Sequence, residues 1–495
     1  MKNIILNPIY GIRNDETCSF IYVIDDSFET LIKKLPDALE IPPLYGYILS
    51  YFQNPCSIEE AIKKISEYTS IKANSISIFI QKIINNKTSL GIKYGNKFIT
   101  LPPDLLISDN DNIKERARIK TNNKFNCFNA FSKSRPTCPA KVTIMLTTRC
   151  KTDCIYCYAD RYQKTDFKLD EILPLIDDCY SSGVLKVNLS GGDIFAYKEW
   201  KSVIKKMNTY NYVPFLSTKI PLSTEEILFL QENGIKEIQL SLDTISENEI
   251  NILVKRDQAY IDHIKNMLEA CKELGLKVNT RTVLTKYNTT VSSLQDLYRF
   301  FSKYQVYSWT IVPATYSSYR EGYESYQADI TSLQQCKDYI DKLSENSTIN
   351  ISFNKLKDSE SLNIKYQTVN DFLTYNKGCI VTSHNLTINV YGQVTLCELF
   401  YNKSKYHLGN AKKQSIHELW NSDLVKDFFN FHIHSIPKNT ESPCYKCDSY
   451  AQCKVGNSKK VCLVDIVNAY GEDKWDYPDP RCPYAPKCDM NLLTK

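Results

Sequence analysis

The sequence predicts an α/β fold: a parallel sheet curved into an open or closed barrel, with a small α+β unit before it and a cysteine-rich module after it. Three observations predict it. From residue 139 onwards, short β-rich runs alternate with helical stretches, as a set of six β–α repeats requires. The residues up to about 103 mix strand, helix and hairpin patterns. Eight of the eighteen cysteines follow Gly378, which indicates a region organised by metal.

The first unit is expected to span residues 1–103. Ile4–Leu6 and Ser19–Ile24 have strand character, and the run Ser57-Ile58-Glu59-Glu60 is typical of a capping box at the start of a helix. Tyr94-Gly95-Asn96-Lys97 predicts a hairpin turn. This order of strands, helices and hairpin predicts a compact α+β domain.

The rest of the chain divides into a linker over 104–138, which is polar and contains Pro136, a barrel over 139–376, and a metal-organised module over 377–495. Reactive side chains are expected at the carboxyl ends of the barrel strands, where such barrels gather their chemistry. Six strands are predicted: Lys141–Thr147, Lys186–Leu189, Pro214–Ser217, Glu237–Leu242, Lys277–Val283 and Ser308–Val312.

Composition argues against several classes of partner. The net charge of +5 is small for 495 residues, and no stretch combines dense Lys and Arg with interleaved aromatic residues, so we expect no nucleic acid partner. No apolar run has the length of a membrane span, and the N-terminus lacks the core of a signal peptide. We therefore expect a cytoplasmic protein that does not engage a membrane and whose thiols stay reduced.

Three cysteines stand directly after the first barrel strand, as Cys150, Cys154 and Cys157 in the pattern C-x3-C-x2-C. Three thiolates within eight residues can bind one soft metal centre. A four-iron cluster held by three thiolates leaves one iron open for chemistry. The alternatives are a zinc site with a distant fourth ligand, or reduced thiols that meet by chance.

This motif, with Tyr156 before its last cysteine, resembles the radical S-adenosylmethionine (SAM) superfamily. The resemblance implies a [4Fe–4S] cluster whose open iron binds SAM and yields a 5′-deoxyadenosyl radical, with Tyr156 near the adenine. Gly191, Gly192 and Asp193 follow the second strand where the family usually has Gly-Gly-Glu, and are expected beside SAM. Asp in place of Glu shortens the side chain but keeps an acceptor.

Polar residues at later strand ends are weaker candidates for SAM contacts. By the same resemblance, Ser217 at the end of the third strand, Ser241 and Asp243 at the end of the fourth, and Arg281 in the fifth would contact the ribose or carboxylate of SAM. The alternative is that these residues form a solvated barrel rim.

The late cysteines resemble the SPASM extension of radical SAM enzymes, which implies two auxiliary [4Fe–4S] clusters and three clusters in all. A distal cluster would be bound by Cys444, Cys447, Cys453 and Cys482, and a proximal cluster by Cys379, Cys397 and Cys462. The fourth proximal ligand is left open: a vacant site, Cys488 or His384. One departure from the family is the eight-residue gap between Cys453 and Cys462, and a zinc ribbon is the alternative to the whole arrangement.

The first unit resembles winged-helix-like domains that bind the leader of a ribosomally made precursor peptide by adding it as a strand to a sheet edge. The resemblance implies a peptide maturase that forms a thioether or a carbon–carbon crosslink, supplied with electrons by a flavodoxin or ferredoxin. Glu398, next to Cys397, would be a catalytic base, because relatives of the sulfatase-maturating type have a carboxylate there. The alternatives are a maturase of a folded protein and a non-catalytic leader-binding scaffold.

Overall fold

The computed structural model describes residues 3–31, 33, 35–36, 38–84, 86–95, 97–109, 126–132, 134–157, 159, 163–315, 322–353, 365–376, 383–400, 403–430, 439–456 and 459–488. Within these ranges, no helix has the length and apolar character needed to cross a membrane.

Strands and helices are numbered in chain order. The strands β1 to β17 are Ile4–Leu6, Tyr10–Asn14, Ser19–Val23, Ala38–Ile41, Leu90–Tyr94, Lys97–Leu101, Leu106–Ser108, Lys141–Thr147, Lys186–Gly191, Ser217–Thr218, Glu237–Ser241, Lys277–Leu284, Ser308–Pro313, Asn350–Phe353, Asn385–Ile388, Gln393–Thr395 and His407–Asn410. The helices α1 to α16 are Phe28–Leu31, Pro43–Ser50, Ile58–Thr69, Ala73–Ile83, Leu169–Ser181, Trp200–Asn208, Thr224–Glu232, Glu247–Val254, Gln258–Leu274, Val291–Lys303, Ile330–Ser344, Val369–Tyr375, Ile416–Trp420, Asp423–Asn430, Tyr450–Lys454 and Leu463–Tyr470.

Two five-stranded sheets form an open barrel. One sheet is parallel throughout, in the order β10-β11-β12-β13-β14. The other has β15, β8 and β9 in parallel, and β16 and β17 continue it in the antiparallel sense. In the described residues no ladder joins β9 to β10 or β14 to β15. All six predicted strands are present, although the third is only Ser217–Thr218, and β14 and β15 were not predicted.

Alternation along the strands gives the barrel an apolar outside and a polar inside. Ile238 and Leu240 of β11 are buried in the core with the surrounding helices, whereas Gln239 and Ser241 between them lie on the other face of the strand. The parallel register places Ser241 beside Arg281 of β12. Polar side chains of neighbouring strands therefore share layers inside the barrel.

The N-terminal unit contains a three-stranded antiparallel sheet, β2-β3-β4, the helices α2 to α4 and the hairpin β5-β6. Ser57 caps α3 by accepting a hydrogen bond from the amide of Glu60 at 3.2 Å. The Glu60 carboxylate pairs with Lys64 at 2.6 Å, so half of the predicted capping box is seen. Strand β7 pairs with β1, which extends this unit to Ser108, beyond the expected boundary at 103.

Residues 25–31, called the closing segment below, lead from β3 into α1 and lie against the amino-terminal end of the barrel. The Asp26 carboxylate accepts from Lys186 Nζ at 2.5 Å and from Asn188 Nδ2 at 3.0 Å. Lys186 is the first residue of β9. The segment therefore bonds to the start of a barrel strand.

The first residues of two more barrel strands are also bonded to the closing segment. The amide of Phe28 donates to Oε1 of Glu237, the first residue of β11, at 2.9 Å. The Glu29 carboxylate accepts from Lys277 Nζ at 2.6 Å, at the first residue of β12, and from the Tyr307 hydroxyl at 3.0 Å. The N-terminal unit thus closes this end of the barrel with charged and polar contacts.

Candidate active site and auxiliary metal sites

The cysteine loop, residues 150–157, begins after β8. Thr152 Oγ1 lies 3.2 Å from Cys150 Sγ and 3.5 Å from Cys154 Sγ, so one hydroxyl connects two of the three thiols. Burial raises the pKa of Cys154 to about 12. The amide of Ile155 donates to the carbonyl of Leu253 at 3.0 Å, which fixes the middle of the loop on the last turn of α8.

The chemistry of the donor set fits an iron–sulfur cluster. Each thiolate ligand of a four-iron cluster binds a different iron, and three cysteines within eight residues can supply three such ligands. Among the described residues, no group of three His, Cys, Asp or Glu side chains lies close enough to hold a single metal ion. Cys150, Cys154 and Cys157 are the residues that would hold the cluster.

The two glycines after β9 allow the barrel backbone to approach the cysteine loop. The Gly192 amide donates to the Thr147 carbonyl at 2.7 Å, and the Asp193 amide donates to the Arg149 carbonyl at 2.8 Å. A Cβ atom added at Gly192 would lie 2.2 Å from the Arg149 oxygen. Both amides therefore bond the base of the cysteine loop. The place of Gly191, Gly192 and Asp193 beside SAM stays a prediction.

Asp193 joins β9 to β10. One oxygen of its buried carboxylate accepts from Thr218 Oγ1 at 2.8 Å and from the amide of Lys219 at 2.9 Å. The other accepts from the amide of Phe195 at 3.1 Å. Burial raises the pKa of Asp193. The Asp that replaces the usual Glu therefore has three protein donors, and its contact with SAM stays a prediction.

Asp243 and Tyr156, both expected to contact SAM, bond to each other. The Tyr156 hydroxyl donates to Asp243 Oδ2, which also accepts from Lys219 Nζ at 2.7 Å. The amide of Val283 donates to the other oxygen at 2.9 Å. Lys219 was not among the residues predicted to contact SAM. The one indication in the sequence is that Lys219 follows a strand whose neighbouring strands, β9 and β11, are followed by aspartates.

Burial and charge act together on this group. Burial lowers the pKa of Lys219, but the Asp243 carboxylate outweighs that effect and leaves this pKa above its usual range. Burial, reinforced by Asp243, raises the pKa of the Tyr156 hydroxyl. The three side chains therefore form a buried ion pair with a neutral phenol attached.

Three further predicted SAM contacts lie at the carboxyl ends of the strands. Gln239 Nε2 donates to Ser217 Oγ at 2.7 Å and to Ser241 Oγ at 3.2 Å, which places both hydroxyls side by side. Arg281 pairs with Ser241 in the register and is exposed. Ser217, Ser241 and Arg281 are therefore the residues of this edge that could hold the polar groups of SAM.

Glu398 reaches the barrel from the C-terminal module. The hydroxyl of Ser190 donates to Glu398 Oε2 across 208 positions of sequence. Ser190 precedes Gly191 at the end of β9, and Glu398 follows the predicted ligand Cys397. The half-buried carboxylate therefore lies at the barrel edge, next in sequence to the predicted cluster ligand Cys397.

The four cysteines predicted for the distal cluster line one apolar cavity: Cys444, Cys447, Cys453 and Cys482. Burial raises the pKa of Cys453 to about 12 and that of Cys482 to about 11. Buried thiols without a metal stay protonated, whereas iron binds and stabilises thiolates. The donor set thus fits a cluster with four protein ligands.

Asp479 connects the distal and proximal cysteines. It accepts from the amide of Cys462 at 2.8 Å and pairs with Arg481, the residue before Cys482, at 3.0 Å.

The amide of Lys460 donates to the carbonyl of Cys453 at 2.7 Å. Lys460, two residues before Cys462, is therefore bonded to Cys453.

The predicted proximal cluster site includes Cys379 and a fourth ligand that was left open. Cys379 lies outside the described residues, so its place in the proximal set stays a prediction. The Nδ1 atom of His384 lies 3.0 Å from the Tyr22 hydroxyl, and burial lowers the pKa of His384 to about 4. This contact joins the N-terminal sheet to the barrel. The fourth proximal ligand, a vacant site, Cys488 or His384, stays a prediction, and Cys488 is buried.

Comparisons with known proteins agree with this geometry. Residues 144–301 match the radical SAM superfamily, and residues 379–448 match SPASM, an iron–sulfur cluster-binding domain. The crystal structure of Streptococcus suis SuiB bound to precursor peptide SuiA is similar over 97% of this chain and 99% of that chain, with a TM-score of 0.62 and 15% identity. The chain thus has a radical SAM fold followed by a SPASM domain, which confirms the expected fold class.

Curated relatives match a shorter stretch. A GTP 3′,8-cyclase of Clostridium perfringens is 31% identical over 150 residues, which are 28% of this chain and 45% of the relative. A probable GTP 3′,8-cyclase of Methanothermobacter marburgensis is 23% identical over 195 residues, 39% of this chain and 63% of the relative. The chain thus spans about half to two thirds of the length of these relatives.

Proposed function

We propose that this protein is a peptide maturase: a radical SAM enzyme that crosslinks a ribosomally made precursor peptide through a thioether or a carbon–carbon bond. The observation that carries the proposal is the contact of Glu398 with Ser190. It brings a carboxylate of the C-terminal module to the edge of the barrel where Arg281 and the cysteine loop also lie. Crosslinking removes two hydrogen atoms from a peptide, and one of them leaves as a proton that needs a base.

The N-terminal unit supplies a place for the leader. Among the described strands, β4 pairs only with β3, and we take its outer edge, which lies near β6, as the place where a peptide adds as a further strand. The similarity to SuiB extends over this unit, and SuiB has been crystallised with a precursor peptide. We propose that the leader binds at β4 and that the core peptide enters the carboxyl end of the barrel.

The proposed cofactors are SAM and three [4Fe–4S] clusters. When bound, they supply the reductive cleavage of SAM and accept the electron that the product gives up. Cys150, Cys154 and Cys157 would hold the first cluster. The distal set, and Cys397, Cys462 and Cys379, would hold the others. A flavodoxin- or ferredoxin-type electron donor and a cytoplasmic location belong to the same proposal.

The second candidate is a nucleotide cyclase, which the similarity to GTP 3′,8-cyclases favours. That similarity covers 28% of the chain, a stretch too short to include both the N-terminal unit and the distal cysteines. The maturase proposal gives all three regions a use. Incubating the reconstituted enzyme with GTP, or with short peptides encoded beside its gene, separates the two candidates by product mass.

The test of leader recognition uses proline in β4. Amide groups along a strand point alternately to one side and the other, so one of Leu39→Pro and Glu40→Pro removes only an outward donor. We expect that variant to keep its circular dichroism spectrum and SAM cleavage but to bind an adjacent-gene precursor at least tenfold more weakly by fluorescence anisotropy. Binding at the wild-type affinity by both folded variants would refute the role of this edge.

A further inference from the structure

We infer that Lys219 is a positioning residue for SAM cleavage: through Asp243 it fixes the Tyr156 ring, and with it the loop that carries the three cluster cysteines. The inference rests on the proposed cluster at Cys150, Cys154 and Cys157. It assigns to Asp243 and Tyr156 a different task from direct contact with SAM.

Lys219 lies where three strand ends meet. Its backbone amide donates to Asp193 after β9, and its ammonium group donates to Asp243 at 2.7 Å and to the Ser241 carbonyl at 3.2 Å after β11. The side chain is 12% exposed, and that of Asp243 is 1% exposed. An ion pair with so little contact with water holds its partners in one geometry.

The same bonds return to the cysteine loop on both sides. Asp193 donates through its amide to Arg149, just before Cys150. Asp243 accepts from Tyr156, just before Cys157, and the Lys219 ammonium lies 5.7 Å from the centre of the Tyr156 ring. Lys219 is therefore the junction of a hydrogen-bonded ring that starts and ends on the loop.

A loop fixed at both ends presents its thiols in one arrangement, so SAM meets a preorganised site. Without the Lys219 charge, Asp243 would be a buried carboxylate without its cation, and Tyr156 would lose a fixed acceptor. Positioning predicts that loss of Lys219 and loss of the Tyr156 hydroxyl have the same consequence. A lysine that only supports the barrel rim predicts that the hydroxyl is dispensable.

The experiment compares Lys219→Met, Tyr156→Phe and the double variant with wild type after anaerobic reconstitution. The readouts are iron content, the electron paramagnetic resonance spectrum of the reduced cluster with and without SAM, and the Kd of SAM. Lys286→Met, an exposed lysine beyond β12, is the matched control. Lys219→Arg tests whether a cation alone restores the site.

We expect both single variants to keep iron, to weaken SAM binding about tenfold as the loss of a buried hydrogen bond predicts, and to broaden the SAM-bound spectrum. The double variant should be no worse than Lys219→Met. Wild-type SAM affinity and spectrum in Tyr156→Phe, or additive effects in the double variant, would overturn the inference. If Lys219→Met loses iron, the SAM affinity and the spectrum of Tyr156→Phe decide whether the inference stands. Wild type without an iron–sulfur spectrum would instead refute the proposed function.

Discussion

The two ends of the barrel are built on opposite principles. The carboxyl ends of the strands carry the cysteine loop, Arg281 and Glu398, the residues proposed to meet the cofactor and the substrate. The amino ends are closed by residues 25–31, whose carboxylates pair with Lys186 and Lys277. We therefore propose that one end binds ligands, whereas the polar groups of the other bond to the protein itself. The polar lining of a barrel indicates a reactive site only where no other part of the chain covers it.

The largest effect should follow from removing the cysteine loop thiols. Changing Cys150, Cys154 and Cys157 together to Ala should abolish reductive SAM cleavage, because no ligands remain for the first cluster. The closing segment lies at the other end of the barrel and is unchanged in this variant. The melting temperature of the metal-free variant should therefore stay near that of the metal-free wild type. Deoxyadenosine measured by chromatography checks the first statement and calorimetry the second. Residual SAM cleavage would place the reactive centre elsewhere.

Glu398→Gln should have the next largest effect. Loss of the base should leave iron content and deoxyadenosine production intact while the crosslinked peptide disappears. Glu441→Gln, an exposed residue of the same module, is the matched control. The measurement is peptide mass, which falls by two hydrogen atoms on crosslinking. Wild-type product formation by Glu398→Gln would contradict the role of Glu398 as a base and would leave its contact with Ser190 only a structural role.

The closing segment should matter for stability rather than for chemistry. Asp26→Ala leaves Lys186, whose side chain is 6% exposed, without its carboxylate, and should lower the free energy of unfolding by about 2–3 kcal/mol. Glu29→Ala breaks a pair whose side chains are 58% and 44% exposed, and should cost less than about 1 kcal/mol. Urea denaturation of the two variants gives the comparison. Equal costs would contradict the burial argument.

A smaller effect is expected from pH. Burial raises the pKa of Asp26, but Lys186 and Lys141 outweigh it and hold this pKa below its usual value. A carboxyl with a depressed pKa in the folded state contributes stability above its unfolded pKa of about 3.9 and loses it as pH falls through the folded value. Wild type should therefore lose more stability than Asp26→Asn below about pH 4. Parallel pH profiles would show that the pair contributes nothing.

Sequence predicted the barrel better than its closure. The six strands between Lys141 and Pro313 stood out because apolar runs alternate with helical ones, and the cysteine spacings indicated both metal regions. The short strand Asn385–Ile388 and the contacts of Asp26 and Glu29 carry no local signal. Their partners lie far away in the sequence, and a carboxylate in a loop looks the same whether it is solvated or paired.

The reactive end shows the same limit at single residues. Tyr156 was identified from its place in the cysteine motif and Asp243 from its position at a strand end, but their bond to each other, and the bond of Asp243 with Lys219, required the fold. Glu398 was identified from its neighbour Cys397, whereas its contact with Ser190 required the fold. Motifs thus located the site, and only the packing of the strands showed which of its side chains were already engaged.

Metal analysis of the reconstituted protein tests the central claim most directly, because the reactive end and the C-terminal module are both defined by the clusters they would hold. Iron, acid-labile sulfide and zinc should be measured on the wild type and on the Cys150, Cys154 and Cys157 triple Ala variant, both prepared without oxygen. Three four-iron clusters predict about twelve irons per chain in the wild type and about eight in the variant, with matching sulfide. About four irons in the wild type, or zinc in place of iron, would contradict the account.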